Sequence, residues 1–463
     1  MTGIHAPHLP EAAIRARARE GTAAVFPGFD GYGRTLFGAG PAGDGDELDR
    51  MRIVPPVFVP GRLEKLFDLG REPMYGDVDL TSSVGGFTAP LPVFVCAFGS
   101  TRVAGGDLGV AASTQAGRLG LPMVIGENVV PMRGYGRSAG DASDGRMLLD
   151  RIRAYTEAAG GGHGTHGGVV VQQSTEDADA EVWNLVYSDP YATGLLDTGR
   201  LAFELKVGQG AKPGLGGMTM MTPEAAAAVR RRYVVDDAFG AGTVLRSSSP
   251  GTFTAEILRH QVRLMRNNYP RARVWVKLHP GRDVAAAAEV AWRAGADAVT
   301  VDGAEGGTGW APTVFLDQVG LPLAECLRRL AGPRDGALPS ALPSARPGGL
   351  NVSGRIWEGG RALKCLALGA SAVGLGRAAL LAVDEDPADG LVRLVRCLEL
   401  ELRLLISALG KYDVSQLDRE DLWLPEPPLG TERRTGNDDH SDQRPDYRAA
   451  EPGADLRRDR VDR

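Results

Sequence analysis

The sequence predicts an α/β fold, a (β/α)8 barrel with an N-terminal cap and a C-terminal helix, on three observations. Between residues 90 and 382, short β-branched runs are each followed by a glycine or polar loop and then an Ala-rich stretch, the alternation produced by parallel strands with crossover helices. Eight such runs fall within roughly 290 residues, the size of a barrel of this kind with modest insertions. Polar groups stand at the end of every run, where such a barrel gathers its chemistry. An open doubly wound sheet is the alternative.

Taken in order, residues 1–88 alternate short apolar pieces with Gly and Pro clusters such as "GFDGYGRTLFGAGPAGDGD" and read as the cap. The barrel is expected over 89–385, with strands at 93–97, 123–126, 168–172, 202–207, 274–278, 298–301, 349–353 and 372–375. Helical windows lie between them, including 223–232, 255–267, 285–294 and 360–368. The Pro/Ala insert at 331–349 reads as a surface excursion between a helix and a strand. Residues 391–409 are apolar at helical spacing and predict a closing helix within a C-terminal segment, 386–426. Residues 427–463 are charged and nearly devoid of large aliphatics, a composition that predicts disorder.

Composition bounds the function. The 463 residues are 43% hydrophobic, enough to bury a large core. A formal net charge of −6 gives no basic field, so nucleic acid and anionic membrane are poor default partners. No apolar run is long enough to span a membrane, and the N-terminus has no signal-peptide pattern, so a cytoplasmic protein is expected. Cys96, Cys326, Cys365 and Cys397 form no C-x-x-C pair; buried free thiols are expected rather than disulfides or a zinc ribbon.

The strand ends carry the chemistry. They run into "CAFGS", Glu127 and Asn128, Gln172 and Gln173, Lys206, Lys277, "DGAEGGTG", Ser353–Gly354–Arg355 and Gly374–Leu375–Gly376–Arg377. The last two combine small residues, helix N-termini and arginines, an arrangement that suits a phosphate. Lys277, in "RVWVKLHP", would be costly to bury unless a negative charge meets it; the N1–C2 carbonyl edge of a reduced flavin is such a charge. Two glycine motifs compete with this reading. "GAGPAG" fits a dinucleotide fingerprint but follows a poor strand and carries a proline in its turn. "GLGRAA" follows a strand, yet no later strand carries the ribose-binding acid that a dinucleotide site needs. His163 and His166 stand at metal-ligand spacing with no accompanying carboxylate or cysteine cluster, which favours a glycine loop.

Over residues 90–385 the sequence resembles the FMN-binding synthase domain of glutamate synthase and its stand-alone relatives. The resemblance rests on "LKVGQGAKPGLGG", "VDGAEGGTGWAP" and "SGRIWEGGRALKCLALGASAVGLGRA". It implies FMN at the barrel mouth and an oxidoreductase that interconverts amino and 2-oxo acids by reductive amination or its reverse. It places Ala97, Phe98 and Gly99 beside the flavin ring, with Gln172, Lys206, Lys277, Gly306, Gly307 and Thr308 around it. Ser353, Gly354, Gly374, Gly376 and Arg377 fall at the phosphate. Lys212 matches the lysine that grips the oxo acid, Arg232 the arginine for a distal carboxylate, with Arg230 and Arg231 competing, and Glu127 an acid able to handle protons.

The departures from the family pattern carry expectations of their own. Only Cys397 follows the eighth strand, where the parent enzymes hold a three-iron cluster, so no iron–sulfur cluster is expected. The chain begins Met-Thr, without a glutaminase nucleophile, so ammonia is expected to arrive free or from a partner. Leu215 and Met218 replace polar residues of the family, which points to a substrate less polar or larger than 2-oxoglutarate. A reductase partner and a homo-oligomer are further expectations. An FMN oxidase or dehydrogenase, a redox-neutral isomerase, and a non-catalytic FMN-binding subunit remain alternatives.

Overall fold

Eight parallel strands close in chain order into a barrel in the computed structural model of the protein. The structure describes residues 3–39, 45–98, 108–126, 142–160, 165–174, 181–212, 219–227, 230, 234–237, 240, 242–247, 253–308, 311–331 and 348–423. The strands are β1 (Val93–Phe98), β2 (Met123–Ile125), β3 (Val169–Ser174), β4 (Leu201–Lys206), β5 (Arg273–Leu278), β6 (Ala298–Asp302), β7 (Gly349–Ser353) and β8 (Ala372–Leu375). Each predicted run is one of them, with ends moved by no more than two residues. Closure is visible in the register, where β8 pairs with β1 through Val373 and Val93, and β4 with β5 through Lys206 and Lys277.

Side chains alternate across each strand. Val93, Val95 and Phe98 of β1 pack outward with the helices, while Phe94 and Cys96 face the interior cluster with Val124, Val170, Ala202, Trp275, Ala298 and Ala372. From the other end of the barrel a hairpin, Ser82–Val84 with Phe87–Ala89, adds Val84, Phe87 and Ala89 to that cluster. Its turn is locked to the barrel, because Trp275 donates its indole N–H to the Gly85 carbonyl at 2.9 Å. Gly85 has φ 58°, and a Cβ there would stand 2.1 Å from the Trp275 ring. Part of the segment read as a cap is therefore the floor of the barrel.

The helices follow the predicted windows where they are apolar and capped. Ala255–Asn268 begins at Thr254, whose side chain accepts from the Ile257 N–H; Val284–Ala294 ends on left-handed Gly295. Within the window 223–232 the structure describes a helix over Pro223–Ala227, and most of the remainder lies outside the described residues. The β-branched stretch that follows enters a small antiparallel sheet, Thr219–Met221, Val244–Ser247 and Val234–Asp236, inserted after β4. The insert at 331–349 and the tail at 427–463 lie almost wholly outside the described residues.

The N-terminal segment is bound to the last third of the chain. Helix Glu11–Glu20 sets Arg15 against Asp384 and Glu385, at 2.8 and 3.0 Å. Arg17 lies against Glu401 at 2.6 Å and over the Trp357 ring. The closing helix runs Gly390–Ala408 as predicted. Arg361, 0% exposed, holds the carboxylates of both Asp46 and Asp49.

Candidate functional site at the barrel mouth

The last inward layer of β3 to β7 is polar, and the period-two alternation of the strands puts it there. On β5, "RVWVKL" turns Trp275 and then Lys277 inward; on β6, Ala298, Thr300 and Asp302; on β7, Asn351 and Ser353. Lys277 Nζ lies 3.1 Å from Asp302 Oδ2, with 7% and 6% of the two side chains exposed. The Ser353 hydroxyl donates to the other Asp302 oxygen. One layer deeper, Glu204 accepts from the Thr300 hydroxyl at 2.9 Å and from the Gln172 amide, while Gln173 donates to the Gln172 carbonyl.

This cluster sets its own ionisation. Burial alone would lower the Lys277 pKa, but Asp302, then Cys96 and Glu204, carry it above the ordinary lysine value. Burial raises Glu204 against the opposing pull of Lys277 and of its two hydrogen-bond donors. The Cys96 thiol is pushed up to about 12 by burial, which makes it a packed side chain rather than a nucleophile. Gly374 is fixed by the same packing, because a Cβ there would meet Cys96 Sγ at 2.4 Å.

The neighbouring loops make a second, cationic part. Gly354 and Arg355 are consecutive left-handed residues, with φ 138° and 56°. Arg355 donates Nε–H to the His8 carbonyl at 2.9 Å and is paired with Asp46 and Asp49, so its charge is compensated. Arg377 differs, since its hydrogen bonds run to the carbonyls of Glu305 and Pro7, at 2.6 and 3.1 Å. Burial, and then the positive charge of Arg355, lower its pKa. Arg377 opens helix Arg377–Glu385, whose N-terminal residue Gly376 offers no side-chain cap. Arginine charge and first-turn amides therefore share one place. Arg377 lies across Gly307, where a Cβ would come within 2.9 Å of it.

The "VGQGAK" loop after β4 packs on the loop after β6. Gln209 and Lys212 close a tight turn, with Lys212 N–H donating to the Gln209 carbonyl at 2.7 Å. The Gln209 side chain reaches the Gly307 carbonyl at 3.3 Å. Gly210, φ 42°, lies against the Gly306 carbonyl, 2.9 Å from where a Cβ would be. A cavity of about 320 Å³ opens beside them, lined by Gly210, His279, Pro280 and Leu321 among others. His279 has a buried Nδ1 without a hydrogen-bond partner, and burial lowers its pKa.

The structure thus brings Gln172, Lys206, Lys277, Gly306, Gly307, Ser353, Gly354, Gly374, Gly376 and Arg377 to one end of the barrel. Thr308 continues the Gly306–Gly307 loop and Lys212 sits half-buried at its neighbour. Ala97 is half-buried at the end of β1; the Phe98 side chain faces outward while its carbonyl accepts from Arg151 and from the Gly126 N–H. Gly99, Glu127, Arg231 and Arg232 lie outside the described residues, and the competing Arg230 is exposed. Glu204, Thr300, Asp302 and His279 were not singled out from the sequence. The sequence signal was that Lys277 required a counter-charge; register across the strands decides which acid, Glu204 or Asp302, meets it.

Fold and site together define the class, a (β/α)8 barrel whose mouth couples a buried lysine–carboxylate cluster to a cationic helix N-terminus. Over residues 195–386 the chain is glutamate synthase-like, matching the family described as the conserved region in glutamate synthase. The archaeal-type glutamate synthase [NADPH] of Dehalococcoides mccartyi is 34% identical over 192 residues, 41% of this chain and 36% of that protein. The glutamate synthase large subunit-like protein of Rhizobium meliloti is 36% identical over 187 residues, 40% of each chain. The match thus spans well under half the length of these relatives. Among solved structures, an active chimera of (S)-mandelate dehydrogenase aligns over 90% of this chain and 99% of its own, with TM-score 0.52 and 18% identity. A flavocytochrome b2 variant with benzoylformate aligns over 88% and 85%, with TM-score 0.51 and 16% identity. These neighbours share the barrel fold. Among the described residues no helix is long and apolar enough to cross a membrane.

Proposed function

We propose that the chain is an FMN-dependent oxidoreductase of the glutamate synthase kind, acting on an amino-acid or 2-oxo-acid substrate by reductive amination or its reverse. The observation that carries this reading is Arg377, which brings a half-buried positive charge, with only carbonyl hydrogen-bond partners among the described residues, to an uncapped helix N-terminus beside glycines 307, 374 and 376. That donor set fits a phosphomonoester, and the polar layer at Lys277 fits the heterocycle attached to one. When bound, FMN supplies reversible two-electron transfer.

The chain's own residues do the rest. Arg377, with the backbone of Ser353, Gly354, Gly374 and Gly376, holds the phosphate. The backbone of Ala97, Phe98 and Gly99 edges the ring, with Gln172, Lys206, Lys277, Gly306, Gly307 and Thr308 around it. Lys212 holds a substrate carboxylate and Arg232 a second acidic end, while Glu127 moves a proton at the reacting carbon. Ammonia, where used, comes free or from a partner, and the substrate is less polar or larger than 2-oxoglutarate. We place the domain boundaries near residues 88, 385 and 426.

Absorbance spectra of the purified protein before and after anaerobic addition of NADH, NADPH and candidate amino or oxo acids test the reading. A flavin band bleached by one of them is expected. A protein that binds FMN but leaves it oxidised with every donor would point instead to a non-catalytic subunit.

A further inference from the structure

Three adjacent strands meet at one point inside the mouth. Asp302 on β6 commits one carboxylate oxygen to Lys277 of β5, at 3.1 Å, and the other to the hydroxyl of Ser353 on β7. All three residues are more than nine-tenths buried. Beneath them Glu204 is 1% exposed, with both oxygens accepting hydrogen bonds. A buried lysine needs a counter-charge, and here the chain supplies it before any ligand arrives. Ser353 also has its hydroxyl directed to Asp302.

We propose that Asp302 is a positioning residue that fixes Lys277 in the mouth and cancels its charge, so that a bound flavin meets a compensated ammonium and its reduced, more negative form is held less firmly than an unpaired lysine would hold it. The inference rests on the FMN reading and deepens it. The physical reason is that a charge in a water-poor site acts strongly on a neighbouring ionisable group, and pairing it with an opposite charge removes most of that action. Ser353 contributes by holding the carboxylate in the orientation that meets Lys277. The result is a cofactor kept as a ready electron donor. Lys277 and Ser353 have places at the site from the resemblance; the role of Asp302 comes from the mouth geometry.

The test is the flavin reduction equilibrium of the holoprotein, measured anaerobically against reference dyes, in the wild type, Asp302→Asn, Asp302→Glu, Lys277→Met and the Lys277→Met/Asp302→Asn double variant. Asp302→Asn is expected to shift the equilibrium toward reduced flavin about tenfold or more, the size of one pKa unit of released interaction. Asp302→Glu is expected to restore most of the wild-type value, and the shift is expected to vanish in the Lys277→Met background. A holoprotein of Asp302→Asn with the wild-type equilibrium, or an equal shift without Lys277, overturns the inference. Where Asp302→Asn does not fold, Ser353→Ala keeps both charges and loosens the carboxylate; a smaller shift of the same sign supports the inference and no shift overturns it. A wild-type protein that takes up no FMN defeats the FMN reading itself, whereas bound flavin with an unmoved equilibrium defeats only the role given to Asp302.

Discussion

Lys206 and Lys212 stand six residues apart on either side of left-handed Gly210, and the account gives them different work. Lys206 ends β4 beside Lys277 in the register, whereas Lys212 lies past the turn that packs on the β6 loop. A lysine–carboxylate contact in a closed site is a charge-assisted hydrogen bond worth roughly 1.5–3 kcal/mol. Lys212→Ala is therefore expected to weaken substrate handling about tenfold while flavin stays bound, a difference read by titrating substrate and following the flavin spectrum. At the same scale all four cysteines are free and buried. Burial pushes Cys96, Cys326 and Cys365 up to about 12 and Cys397 to about 11. Because the thiolate is the reacting form, iodoacetamide at neutral pH is expected to label none of them in the native protein and all four after denaturation; rapid native labelling of any one would contradict this.

The elements that read correctly from the sequence are those whose pattern is local. β7 and β8 were bounded to the residue because "GLNVS" and "AVGL" are short, flanked by glycine or polar residues, and buried on both faces. The hairpin at Ser82–Val84 and Phe87–Ala89 was not legible, since three-residue strands carry almost no periodicity and their burial depends on Trp275, about 190 residues away. The sheet after β4 was missed for a related reason, its strands being three or four residues long. In the site, Lys277 was legible as a charge in an apolar strand, whereas its partner was not, because register across β5 and β6 decides which acid faces it. The hairpin yields a prediction of its own. Gly85→Ala places a Cβ in a left-handed turn and against the indole of Trp275, so a loss of about 2 kcal/mol or more is expected by urea denaturation. A neutral result would show that the hairpin does not close the barrel floor.

Across the whole molecule, the N-terminal segment and the barrel mouth are joined through buried charge. His8 and Arg355, the two described non-glycine residues with positive φ, bond to each other, and Asp46 and Asp49 clamp Arg355 and Arg361. Burial works against the Asp46 carboxylate, but hydrogen bonding and charge from Arg361 outweigh it and hold its pKa below the ordinary value. A carboxylate depressed in the folded state contributes stability above its unfolded pKa, near 4, and loses that contribution as the pH falls through the folded value. Urea denaturation at falling pH is accordingly expected to show the wild type losing stability below about pH 4. Arg361→Met, which leaves the two aspartates with Arg355 as their remaining arginine, is expected to cost about 1.5–3 kcal/mol at neutral pH and to flatten that acid dependence.

The central claim, that this barrel mouth is an FMN site, is tested most directly by the flavin content of the purified chain and its dependence on Arg377. Roughly one FMN per chain, released by heat and identified by chromatography, is expected, with Arg377→Gln weakening FMN about tenfold or more while leaving the weaker binding of riboflavin unchanged. A colourless protein that cannot be reconstituted with FMN, or a variant in which FMN and riboflavin weaken alike, would contradict it.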